Sequence, residues 1–193
     1  MDDFAHLRPP ALLSAILDRT EALAFPMPSE PQTGAMLRVL AASKPGGRLL
    51  ELGTGTGLST AWLLEGMDQG ARLISVDVDP ASQAVAREIL GGDTRLEIVT
   101  ADAALFLRQQ APATFDLIFA DAMPGKYEYL DEALALLRPG GLYVIDDMLP
   151  QTNWPEGHAE KVPRLIADLA ARAELRIVSL AWSSGLVIVA RAH

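Results

Sequence analysis

From residue 48 onward the chain alternates short apolar runs with longer segments whose apolar positions recur every three or four residues. The runs lie at 48–52 (RLLEL), 72–77 (RLISVD), 95–99 (RLEIV), 115–120 (FDLIFA) and 142–146 (LYVID), and the helix-like segments at 58–67, 80–90, 102–110 and 127–138. Strand followed by helix, repeated, predicts a parallel sheet covered on both faces. Upstream, residues 8–24 space Leu12, Leu13, Ile16, Leu17 and Leu23 at a helical period. The proline-rich stretch 26–32 (PMPSEPQ) ends that helix, and Thr33 to Ala42 begins another. After a helix expected at 159–173, two apolar runs at 174–181 and 186–191 are joined by Trp182-Ser183-Ser184-Gly185. A parallel return needs a dozen residues or more, so this connection predicts a hairpin and an antiparallel last strand. The expected fold is α/β: one domain over 1–193, with a helical cap (1–44) and a doubly wound seven-stranded core (45–193).

The turn after the first run, ELGTGTGLST, carries Gly53, Gly55 and Gly57 between a strand and a helix. Such a turn lets backbone approach a ligand and aims the helix's unpaired N–H groups at it. The spacing disfavours two ligand classes. A dinucleotide fingerprint, G-x-G-x-x-G, would need glycine where Leu58 stands, and a phosphate-gripping loop would need a lysine, yet none occurs between Lys44 and Lys126. A dehydrogenase Tyr-x-x-x-Lys pair is also missing, because Asp131, Ala133 and Asp147 follow four residues after the three tyrosines.

Composition narrows the partners. A formal net charge of -9 with scattered basic residues argues against nucleic acid and against an anionic membrane surface. The absence of cysteine removes disulfides, thiolate metal sites and a cysteine nucleophile, and fits a cytoplasmic protein. The acidic start, Met1-Asp2-Asp3, and the lack of an apolar stretch of about 20 residues lead us to expect a soluble chain without a signal peptide.

Taken together, E-x-G-x-G-x-G after the first strand, an acid ending the second (ISVDVDP), FDLIFADA and LRPGGLYVIDDML resemble the class I S-adenosylmethionine-dependent methyltransferases. Among these the chain is similar to the catechol and caffeoyl-coenzyme A O-methyltransferases. The resemblance implies a Rossmann-like core, cap helices over the cofactor, a homodimer, and methyl transfer to a small-molecule hydroxyl acceptor. It gives Glu51, Gly53, Thr54, Gly55 and Gly57 to the cofactor turn and Ser59 to the methionine carboxylate. Asp77 goes to the ribose hydroxyls, and Asp102 with Ala103 to the adenine, with Asp121 beside the cofactor. Asp79 rivals Asp77, but Asp79-Pro80 reads as a helix start. Plainer readings are a tight turn for the glycines, a helix cap for Asp102 and a structural hydroxyl for Ser59.

Acids at strand ends come next. Asp121, Asp146 and Asp147 form a hard-oxygen set suited to Mg²⁺ or another divalent cation, and related O-methyltransferases use such an ion to orient the acceptor. Where those relatives commonly carry a further acid or a lysine base just after the first acid, ADAMPGKY has Met123 and Pro124. Lys126 is the nearest substitute base, although a lysine in a Pro-Gly loop is expected to be solvated. The long segment 148–163 reads as a lid, with Trp154 as an aromatic wall and His158 as a second candidate base, or as a surface histidine. The alternatives kept open are a metal-independent methyltransferase and a non-catalytic S-adenosylmethionine-binding protein.

Overall fold

A computed structural model describes residues 1–193 except Met1, Asp3, Asn153 and Pro155. Two residues of the acidic start and two of the 148–163 segment therefore lie outside the described residues.

The described strands form a seven-stranded sheet in the order β3-β2-β1-β4-β5-β7-β6. These are β1 (Arg48–Leu52), β2 (Arg72–Asp77), β3 (Leu96–Thr100), β4 (Phe115–Ala120), β5 (Leu137–Ile145), β6 (Leu175–Leu180) and β7 (Leu186–Arg191). β7 runs antiparallel to both β5 and β6, as the short hairpin connection predicts. The order reverses at β1, which pairs with β2 on one side and β4 on the other, and this creates a crevice beyond the strands' C-terminal ends.

Successive side chains on a strand point to opposite faces, so each central strand feeds two cores. Leu50 and Leu52 of β1, Ile118 of β4 and Tyr143 of β5 pack with α5 (Ala103–Gln109), α6 (Leu130–Ala135) and α7 (Lys161–Ala171). Leu49, Leu117, Phe119 and Val144 face the opposite way, onto α1 (Leu13–Ala22), α2 (Pro31–Ala42), α3 (Leu58–Gly66) and α4 (Pro80–Leu90). Among the described residues no helix is long and apolar enough to cross a membrane.

Two elements depart from the pattern. The helix expected at 127–138 begins only at Leu130, because the amides of Lys126, Tyr127 and Glu128 all donate to the Met123 carbonyl and Tyr129 adopts a left-handed φ of 55°. It also ends early, since Leu137 already pairs with Phe115, and β5 runs through Pro139-Gly140-Gly141 across a register shift.

The cap is locked to the core where α2 crosses α3. Gly34 leaves no room for a side chain: an added Cβ would lie 2.2 Å from the buried Trp62 ring, over which the Arg38 guanidinium sits at 5.1 Å. We expect Gly34→Ala to force the helices apart and cost about 1–3 kcal/mol, the usual scale of overpacking, against the small gain a helical alanine brings. Urea unfolding measures it, and an unchanged midpoint would show that the crossing yields freely.

Candidate active site

The turn between β1 and α3 lies against the end of β4. Gly53 has φ +106°, and a Cβ there would come within 2.6 Å of the Asp121 carbonyl, so neither the conformation nor the space admits another residue. At Gly55, φ +50°, a Cβ would fill the space toward Phe25 of the cap, 3.1 Å away. Gly57, also left-handed, begins α3 without any side-chain cap. The Asp77 carboxylate ends β2 and holds the turn by accepting from the Gly55 amide at 2.8 Å. Asp79 is engaged elsewhere, capping α4 through the amides of Ala81 and Ser82. Asp102 caps α5 by accepting from Leu105 N at 3.0 Å, and Ala103 is that helix's first residue. A left-handed glycine turn, an uncapped helix start and a strand-end carboxylate fit a ligand carrying a carboxylate and hydroxyls.

Glu51 is wholly buried beneath this turn. Its carboxylate accepts from Ser59 Oγ at 2.6 Å, Thr60 Oγ1 at 2.5 Å and Ser75 Oγ at 2.5 Å. Because the Ser75 proton goes to Glu51, Thr54 donates to Ser75, and Thr54 in turn accepts from Gln83 Nε2 at 3.0 Å. The hydroxyls of Ser59 and Thr54 thus point into the protein, leaving the backbone of the turn to face a ligand. Burial pushes Glu51 up to about 7 in spite of its three hydroxyl donors.

The adjacent ends of β4 and β5 bring Asp121 and Asp146 together, since Ala120 pairs with Ile145. Lys126 returns from the following loop and places its ammonium 3.2 Å from Asp121 Oδ1 and 3.5 Å from Asp147 Oδ2. This lysine is not solvated, as its loop context suggests, but 4% exposed. Burial opposes its charge, yet Asp121, Asp147 and Asp146 together outweigh that and hold the ammonium above the usual lysine range. Burial likewise raises both Asp121 and Asp146. Asp121 Oδ2 also accepts from Ser29 at 3.3 Å, and Asp146 Oδ1 from the Ser184 hydroxyl and from Asp147 N at 2.8 Å. Among the described residues no three His, Cys, Asp or Glu side chains are grouped to hold a metal ion. The expected trio faces an ammonium and neutral donors instead, a poor fit for a divalent cation.

The 148–163 segment is pinned to the hairpin loop, with Met148 N donating to Gly185 O at 3.0 Å and Leu149 N to Ser184 O at 2.9 Å. His158 is buried rather than at the surface. Its ring stacks on Trp154 at 4.3 Å and meets Tyr127 edge-on, with Nε2 3.1 Å from the Tyr127 hydroxyl. Burial, then the charges of Lys126 and Lys161, lower its pKa from the usual histidine range. Ser29, Thr33, Ser183 and Ser184 were not among the site residues expected from the sequence. Thr33 lies 3.0 Å from Ser183 Oγ, and Ser183 donates to Glu30 at 2.5 Å, so cap and hairpin meet beside the acids.

Residues 50–148, just over half of the chain, match the methyltransferase domain family. The chain belongs to that family. The methyltransferase domain is 36% identical over 120 residues to proteins of Mycolicibacterium vanbaalenii and Mycobacterium tuberculosis (Rv1220c), both assigned by name to the O-methyltransferases. Those matches cover 60% of this chain and 53–54% of the relatives, so the chain spans about half the length of the curated relatives it matches. Among solved structures it is similar to cofactor-bound Rv0187 of Mycobacterium tuberculosis (26% identity, TM-score 0.84, covering 98% and 93% of the two chains). It also shares its fold with the Bacillus cereus O-methyltransferase solved with S-adenosylhomocysteine (24%, TM-score 0.83, 97% and 93%). A third, TomG of tomaymycin synthesis in Streptomyces achromogenes, solved with S-adenosylmethionine, has the same fold (24%, TM-score 0.83, 98% and 93%).

The raised Glu51 gives the ligand-free methyltransferase domain a pH signature. A carboxyl whose folded pKa exceeds its unfolded 4.5 stabilises fully below 4.5 and loses that contribution as pH rises toward and past about 7. Between about pH 5.5 and 8 the wild-type protein should lose about 2 kcal/mol more than Glu51→Gln, read from urea midpoints at the two pH values. Parallel profiles would show that Glu51 is ionised throughout.

Proposed function

We propose that the chain is an S-adenosylmethionine-dependent O-methyltransferase acting on a small-molecule hydroxyl acceptor. The observation that carries this reading is the turn of Gly53 to Gly57, whose left-handed glycines stand between an uncapped helix start and the Asp77 carboxylate. Bound there, S-adenosylmethionine would supply an electrophilic methyl on a sulfonium for an acceptor oxygen, with the sulfur as leaving group and the hydroxyl proton passing to a base of this chain.

This reading gives each residue a part that its surroundings support. Asp77 accepts hydrogen bonds from the ribose hydroxyls, the first amides of α3 take the methionine carboxylate, and Asp102 with the start of α5 borders the adenine. The cap excludes water, with Phe25 over the turn and Ser29 on Asp121. Lys126 is held as an ammonium between Asp121 and Asp147 and donates, which leaves the His158 imidazole to accept the hydroxyl proton. Trp154 stacks on that imidazole and walls a planar acceptor.

Calorimetry with S-adenosylhomocysteine and with NAD tests the reading: the first should bind and the second should not. Asp77→Ala should weaken the first by about 1.5–3 kcal/mol, the scale of hydrogen bonds to a charged group. His158→Gln should lower kcat by about 10²-fold or more and leave S-adenosylhomocysteine affinity unchanged. Binding of NAD in place of S-adenosylhomocysteine would remove the proposal.

A further inference from the structure

A divalent cation needs several oxygens turned toward one point at about 2.0–2.6 Å, with no other cation already there. At the ends of β4 and β5 a cation is already in place and several of the oxygens have other partners. Both oxygens of Asp121 are engaged, by Lys126 Nζ at 3.2 Å and by Ser29 Oγ at 3.3 Å. Asp146 Oδ1 serves Ser184 and the Asp147 amide, and Asp147 Oδ2 faces the same ammonium at 3.5 Å.

The ammonium is held there by construction. Gly125, φ +86°, turns the loop back so tightly that a Cβ would lie 2.6 Å from Leu52 and 2.8 Å from the Tyr143 hydroxyl, and that hydroxyl donates to the Gly125 carbonyl at 2.7 Å. Tyr143 is itself fully buried in β5, so the residue before Lys126 is fastened to the sheet. A side chain swinging in solvent would leave the acids free; this one is 4% exposed. Adding a divalent ion would bring a second, stronger positive charge against the first, beside Asp121, both of whose oxygens already have partners.

We infer that Lys126 is the resident cation of this site, standing where a divalent ion would otherwise sit, so that the acceptor oxygen is met by an ammonium N–H and the chain binds and requires no metal. The ammonium has three donors, of which Asp121 takes one in a hydrogen bond, so a donor remains for the acceptor. A metal ion can bind two neighbouring oxygens at once, whereas an ammonium is a single-point charge. The acceptor class is therefore a hydroxyl compound that needs no second chelating oxygen beside the reacting one. This acceptor class rests on the methyl-transfer reading, but cation occupancy is measurable without turnover.

Manganese titration followed by electron paramagnetic resonance, on protein freed of metal with chelator, reads occupancy directly. The wild-type protein should leave the Mn²⁺ signal unchanged up to millimolar concentration. Lys126→Ala and the near-isosteric Lys126→Met should each bind Mn²⁺ at least 30-fold more tightly than wild type, and adding Asp147→Ala should abolish the gain. Micromolar, stoichiometric Mn²⁺ binding by wild type that Asp147→Ala removes would overturn the inference, and so would a failure of both folded Lys126 variants to gain affinity. The wild-type titration decides alone if neither variant folds. Loss of S-adenosylhomocysteine binding would strike the methyl-transfer reading instead, which keeps the two failures apart.

Discussion

Four carboxylates stand at or near the C-terminal ends of the three central parallel strands, and burying like charges side by side is the constraint around which this site is built. A lone ionised carboxyl in a protein interior is costly, and a neighbouring one adds repulsion. Two different remedies are visible. Glu51 is surrounded by the hydroxyls of Ser59, Thr60 and Ser75 and drifts toward neutrality. The Asp121, Asp146 and Asp147 group is given a fixed ammonium, brought in by a loop that Gly125 and Tyr143 fasten to the sheet.

Those remedies also tie distant parts of the chain together. Ser29 of the cap reaches Asp121, Ser184 of the hairpin reaches Asp146, and Glu30, Thr33 and Ser183 join cap to hairpin. The cap is thus hydrogen-bonded across the strand ends, and its Phe25 closes over the glycine turn. Polar contacts from two separate segments close over the strand ends beside the glycine turn.

Much of this was legible in the sequence. Strand positions, the hairpin and the glycine turn follow from local periodicity and turn chemistry, which depend on neighbours in the chain, and Asp79-Pro80 announced the start of α4 as it was observed. The helix expected at 127–138 misled at its start, because the amides of Lys126, Tyr127 and Glu128 converge on the Met123 carbonyl instead of opening a helix. Lys126 and His158 were harder. A lysine in a Pro-Gly loop reads as solvated until the acids of two other strands are seen to surround it, and a loop histidine reads as exposed until Trp154 and Tyr127 enclose it. Both depend on contacts across β4, β5 and the lid segment, and no local pattern records such contacts.

On the inference drawn above, a tethered ammonium rather than a metal ion holds the acids beside the glycine turn. A crystal structure of the protein grown with S-adenosylhomocysteine and soaked in Mn²⁺, with anomalous data at the manganese edge, tests it most directly. The account predicts S-adenosylhomocysteine against the Gly53 to Gly57 turn, Lys126 Nζ between Asp121 and Asp147, and no anomalous peak at these carboxylates. A manganese peak coordinated by Asp121, Asp146 and Asp147, with Lys126 displaced from between them, would contradict it.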